Sequence, residues 1–258
     1  MSGQVSTGPS EQSKTTARVL RRESAMTSSD CALILYARPP LAGRVKTRLQ
    51  PAFTPPEALA IYEAMLADSV EKLIDMASGF ATPFVSWSDE ATPSTELSAL
   101  LGRVQVEYQM GDDLGERMAT TLQNRLRGGY KQAIIIGSDS PNLPADYVDQ
   151  AFEALAAVDI VLGPSDDGGY YLIGARRLHP RLFQRVPWGT SQVLSITRER
   201  IKSGRITCHE LPAWYDVDTP ESVSRLWTDL QHMKKKGSED LPARTFRLLA
   251  GMASARRL

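Results

Sequence analysis

Three short, almost wholly apolar runs limit what this chain can fold into: Cys31 to Ala37 (CALILYA), residues 133–137 (AIIIG) and residues 159–163 (DIVLG, apolar after Asp159). A strand with one face in water alternates apolar and polar residues. A strand apolar at nearly every position needs cover on both faces, as in a parallel sheet held between helices. The segments between these runs carry helical period. Thr54 and Glu57 have capping-box spacing, Pro55 stands at the first helical position, and Leu59, Tyr62, Leu66, Val70 and Leu73 recur at intervals of three and four. Residues 114–126, 144–157 and 191–203 are predicted helices, and Thr219-Pro220-Glu221 opens a last one bearing Val223, Leu226 and Leu230. Residues 84–87, 104–108, 170–174 and 206–211 supply further strands. The alternation predicts an α/β domain with a mainly parallel sheet.

Residues 1–30 are rich in Ser, Thr, Gln and Arg and read as a disordered extension, residues 31–233 as a single domain, and residues 234–258 as a basic, solvated C-terminal tail. Thirty Lys and Arg balance thirty Asp and Glu, so no global field draws the chain to nucleic acid or to an anionic membrane. The two cysteines, Cys31 and Cys208, make no disulfide framework. The three histidines lack metal spacing, which argues against zinc chemistry and a His-based triad. No apolar run approaches the ~20 residues of a membrane span. A soluble, cytoplasmic protein is expected.

In an open parallel sheet, ligands bind beyond the carboxyl ends of the strands, so the loops there are where chemistry is expected. The loop after the first strand (ARPPLAGRVKTRL) gathers Arg38, Arg44, Lys46 and Arg48 around Gly43. Arginine forks and a lysine point charge suit phosphate oxygens, and glycine lets backbone amides approach them. A solvated basic loop is the competing reading, with Lys46 and Arg48 as exposed cations. Val45 stands where a Walker A motif needs glycine, which argues against a P-loop NTPase. In GSDSPNLP, Asp139 is placed to hold Mg²⁺ or Mn²⁺, or else to bind its own backbone in a turn. In GPSDDGGYY, Gly168 and Gly169 allow a ligand to lie against the backbone, and Asp167 is a candidate base or hydroxyl acceptor. In YDVDTPE, Asp216 and Asp218 point the same way if extended, and one of them completes the metal shell. Asp112 and Asp113 lie near a helix start, where the dipole favours acids.

The order ARPPLAGRVKTRL, QMGDDLGERM, GSDSPNLP, GPSDDGGYYLIG, WGTSQVL, DVDTPESV resembles the bacterial radical-SAM/selenodomain-associated transferase family, first type, over about residues 31–230. Its members are similar to GT-A glycosyltransferases and sugar-phosphate nucleotidyltransferases, and some are assigned to arsenosugar biosynthesis. The resemblance implies a GT-A-like nucleotide-diphospho-sugar transferase fold in three layers. It implies Arg38, Gly43, Lys46, Arg48 and Asp113 at the nucleotide, Asp139 and Asp218 at Mg²⁺ or Mn²⁺, and Asp166, Gly168, Gly169 and Tyr170 at an acceptor. Asp167 and Lys46 are then the catalytic candidates. The chain departs from the usual Asp-x-Asp, since Gly137 stands two before Asp139, which shifts weight to Asp218. The leading expectation is transfer of a sugar from a nucleotide sugar to a small-molecule acceptor. The alternatives are nucleotidyl transfer from a nucleoside triphosphate to a phosphorylated acceptor, and a non-catalytic nucleotide-binding module.

Overall fold

The computed structural model describes residues 30–50, 52–90 and 93–255. Strand β1 (Cys31–Ala37) is buried at every position and lies inside a seven-stranded sheet. β2 (Ala81–Trp87) and β4 (Gln132–Gly137) flank it in parallel, with Cys31 opposite both Ala81 and Gln132. β3 (Gln105–Tyr108) pairs in parallel with β2. On the far side β6 (Tyr170–Ala175) runs antiparallel between β4 and β5 (Ile160–Pro164), and β7 (Cys208–Glu210) pairs in parallel with β5. The order is β3-β2-β1-β4-β6-β5-β7, and only β6 runs against the rest.

The helices explain why β1 carries no polar residue. Leu33 and Leu35 meet Leu66, Val70 and Leu73 of α1 (Pro55–Ala77) together with Val148 and Leu155 of α4 (Ala145–Leu155). Ala32 and Ile34 join the opposite cluster, with Met118 and Leu122 of α3 (Leu114–Arg127) and Leu194 of α5 (Val193–Gly204). Alternate β1 residues therefore enter different cores, and the sheet is the middle of three layers. A short α2 (Thr95–Leu101), which the sequence does not announce, packs against α1 and buries Leu97, Leu100 and Leu101 in the same core cluster. The capping signals act as read. The Glu57 carboxylate accepts from the Thr54 backbone N–H at 2.8 Å, and Thr219 Oγ1 accepts from Ser222 N at the start of α6 (Pro220–Lys235).

The C-terminal segment differs from expectation. Instead of a solvated tail, residues 243–254 form α7 (Ala243–Ser254), with Thr245 and Leu249 fully buried. Leu249 shares a cluster with Ile61 and Met65 of α1 and with Val223, Leu226 and Leu230 of α6. Asp68 of α1 accepts from the backbone N–H of Thr245 at 2.8 Å and of Arg244 at 3.2 Å, so a distant carboxylate satisfies the open donors at the start of α7. The predicted N-terminal extension lies outside the described residues except for Asp30. Among the described residues no helix is long and apolar enough to cross a membrane.

Because β1, β4, β5 and β7 run the same way, the loops that follow them leave at one edge. The chain steps from β1 out to β2 and β3 and then crosses back to β4. A switch point therefore opens between β1 and β4 at that edge, where such sheets form a crevice.

Candidate active site

Three guanidinium groups of the β1 loop, on Arg38, Arg44 and Arg48, are exposed at this edge. Lys46 is not. Val45 and Leu49 are buried on either side of it, and Lys46 itself adopts a left-handed backbone (φ 48°, ψ 37°), which a side chain other than glycine keeps only when its surroundings impose it. Its side chain is 3% exposed, and its ammonium donates to Asp139 Oδ1 and, at 2.8 Å, to Asp218 Oδ1. Burial would push the lysine pKa down, but the two carboxylates outweigh it and hold the ammonium above its usual value. Burial would push Asp218 up, yet Lys46 first, then Arg48 and Arg38, hold it below the ordinary carboxylate range. The reading of Lys46 as an exposed loop cation is corrected: the loop turns it inward because its apolar neighbours are anchored in the core.

Asp139 and Asp218 meet because their loops are tied together. Val217 N donates to the Asp139 carbonyl at 2.9 Å. Asp216 is half-buried between the loops, with Oδ1 2.9 Å from the Ser140 hydroxyl and Oδ2 2.7 Å from the Ser165 hydroxyl. Burial and the nearby Asp139 charge raise its pKa to about 6, against the lowering effect of both hydroxyls. Of the two acids that the sequence left as alternatives, Asp218 faces the basic loop and Asp216 clamps the β4, β5 and β7 loops. Tyr62 of α1 fixes the start of the basic loop. Its hydroxyl accepts from Arg38 N at 3.0 Å and donates to Arg38 O at 2.9 Å, and its ring lies 5.9 Å from Lys46 Nζ.

Asp167 turns back on its own loop, where Oδ1 accepts from Gly169 N at 2.9 Å. Gly168 gives its open side to a neighbouring loop. It has φ +88°, and a Cβ there would stand 2.3 Å from the carbonyl oxygen of Ser191, so its missing side chain makes room for the neighbouring loop. That loop brings Trp188 against Tyr170, with ring centroids 6.3 Å apart and edge to face. The Trp188 indole N–H is buried without a partner. Asp166 is drawn outward by Arg225 at 2.8 Å. Asp113 caps α3, accepting from Glu116 N at 2.8 Å.

A cleft of about 1160 Å³ joins these parts, lined by Arg38, Lys46, Arg48, Asp113, Asp139, Asp218, Asp167, Gly169 and Tyr170 among others. Gly43, Asp166 and Gly168 are not in its lining. Tyr62, Asp216 and Trp188 are, and the sequence reading had given Tyr62 to the core and Trp188 no role. The sequence signal for Tyr62 is a polar handle on an aromatic in an apolar stripe and that for Trp188 its place in the WGTSQVL segment, whereas Asp216 already stood as an alternative for the metal shell. A second cleft of about 1420 Å³, on the outer side of α3 and α5, contains no residue of the β1, β4, β5 or β7 loops.

As arranged, these residues do not fit a divalent ion. Asp139 and Asp218 do converge, as a shared site requires, but each gives an oxygen to the Lys46 ammonium at the point of convergence. Among the described residues no group of three or more His, Cys, Asp or Glu is gathered for a metal.

Residues 75–190 match the family described as "Uncharacterized protein conserved in bacteria (DUF2064)". No curated protein matches the chain. Among solved structures it is similar to a protein from Desulfovibrio desulfuricans G20 provisionally assigned as a nucleotide-diphospho-sugar transferase, with 28% identity and TM-score 0.76, covering 87% of this chain and 96% of that one. It shares its fold with a cytidylyltransferase from Leptospira borgpetersenii serovar Hardjo-bovis (14% identity, TM-score 0.51, covering 83% and 97%). The same holds for a CMP:2-keto-3-deoxy-manno-octonic acid synthetase complexed with CTP (12% identity, TM-score 0.50, covering 79% and 99%). The fold is thus the GT-A-like one common to nucleotide-diphospho-sugar transferases and cytidylyltransferases.

Proposed function

We propose that the chain is a nucleotide-dependent transferase, and that its reaction is glycosyl transfer from a nucleotide sugar to a small hydroxylated acceptor. The observation that carries this reading is the meeting of the Arg38, Lys46 and Arg48 cations with Asp139 and Asp218 at the β1/β4 switch point. Polyanion-binding groups there face a cleft large enough for a nucleotide and a second substrate. Likeness to the Desulfovibrio protein supports it.

In this reading Arg38 and Arg48 grip the diphosphate. Lys46 uses two of its three N–H donors on the aspartates and keeps the third for a phosphate oxygen. The cations offset the charge that builds on the leaving diphosphate, and little covalent protein chemistry is needed. Asp167, at the other side of the cleft, orients the acceptor hydroxyl and takes its proton as oxygen bonds to the anomeric carbon. Tyr170 and Trp188 give that side the aromatic surface that sugar rings and polyols favour. Nucleotidyl transfer is the second reading, favoured by one feature: Gly137 stands where glycosyltransferases carry the first acid of Asp-x-Asp.

The assay supplies nucleotide sugars and nucleoside triphosphates in parallel with pooled acceptors and follows nucleoside diphosphate and pyrophosphate separately. Acceptor-dependent diphosphate release is expected, falling ~100-fold or more in Asp167→Asn. Pyrophosphate release with no turnover of any nucleotide sugar reverses the order of the two readings. Silence in both arms turns the proposal into a non-catalytic module.

A further inference from the structure

The carboxylates of Asp139 and Asp218 come from loops far apart in sequence and converge on one point, as the ligands of a cation do. The point is filled from within the chain. Lys46 Nζ lies there with its side chain 3% exposed, its backbone held left-handed between buried Val45 and Leu49. Arg48 stands 3.7 Å from the other oxygen of Asp218. A Mg²⁺ or Mn²⁺ ion needs several oxygen ligands at about 2.0–2.2 Å in near-octahedral array. Here it would have to share both carboxylates with an ammonium and sit within a few ångströms of a fixed positive charge, where like charges repel strongly.

We propose that Lys46 is the resident cation of this site, holding the position between Asp139 and Asp218 that a divalent ion would otherwise take, and that removing its ammonium exposes a latent Mg²⁺/Mn²⁺ site. Two aspartates and one lysine leave a local charge of minus one, which Arg48 reduces further. Without Lys46 the pair keeps both negative charges and offers four carboxylate oxygens, of which Arg48 stands 3.7 Å from one. The inference does not depend on the transferase reading, since it concerns the protein alone, and its test uses no nucleotide.

Mn²⁺ is the probe, titrated calorimetrically into the wild-type protein, Lys46→Met, and Lys46→Met combined with Asp218→Asn. The aspartate side chains are 41% and 35% exposed, so water solvates them once the ammonium is gone and Lys46→Met is expected to fold. The expected result is no saturable Mn²⁺ binding to wild type, binding of one ion at least ten-fold tighter by Lys46→Met, and loss of that gain in the double variant. Equal or tighter binding by wild type, or no gain in Lys46→Met, overturns the proposal. A second measurement needs no variant: Mn²⁺ should leave the wild-type NMR signals of Asp139 and Asp218 unbroadened, and selective broadening there overturns the proposal too.

Discussion

Replacing Asp139 and Asp218 together by asparagine is expected to destabilise the protein by about 3 kcal/mol or more, because it strands a buried ammonium without a counter-charge. The reasoning turns on where the lysine is. A cation on a solvated loop contributes within about 0.5 kcal/mol, and its partners can be neutralised with little effect. Lys46 is 3% exposed and its backbone is anchored between buried Val45 and Leu49, so little water reaches the ammonium to replace the carboxylates. Urea denaturation of the double variant and of each single variant checks this. Each single variant keeps one carboxylate on Lys46 and should lose much less than the pair, which makes the two losses strongly non-additive. A double variant within about 0.5 kcal/mol of wild type would show that Lys46 is not held as described.

Gly168→Ala is the second large effect, at about 2–5 kcal/mol. Two costs combine: a non-glycine residue at φ +88°, and a Cβ driven to within 2.3–2.8 Å of the Ser191 backbone. The second cannot be relieved by a rotamer change, because the obstacle is main chain. Leu194 N at the start of α5 also donates to the Gly168 carbonyl at 2.8 Å, so the clash bears on the junction that holds Trp188 beside Tyr170. Thermal unfolding should show the loss, together with a change in tryptophan fluorescence. The same substitution at Gly43, also at positive φ but with nothing within 4 Å, should cost only the backbone part, about 1 kcal/mol. If the two variants behave alike, the packing role given to Gly168 is wrong.

The contrast between these glycines shows what the sequence could and could not disclose. Runs such as CALILYA name their own environment, since only a strand covered twice can be apolar throughout, and the sheet and its loop edge followed from them. The meeting of Asp139 and Asp218 was also legible, because both follow extended segments that end at that edge. The inward turn of Lys46 was not: it depends on Val45 and Leu49 finding the core, and loop composition does not reveal that. Gly168 reads as a ligand-facing glycine until Ser191 is seen against it. α7 was hidden for a similar reason. Its Phe246, Leu249 and Met252 stripe is short and follows the basic run 234–236, while its cap comes from Asp68, a pairing of residues 244 and 245 with a carboxylate in α1.

The central claim is that the cleft between β1 and β4 is a nucleotide diphosphate site, and calorimetric titration of nucleoside diphosphates tests it most directly. A panel of the five common bases is titrated, with and without Mn²⁺, into wild type, Arg38→Ala and Arg48→Ala. At least one nucleotide should bind with one-to-one stoichiometry, and each arginine variant should weaken it about ten-fold or more, the effect of losing a charged hydrogen bond to phosphate. If no nucleotide binds under either condition, or if one binds equally well to wild type and to both variants, the cleft is not the site described.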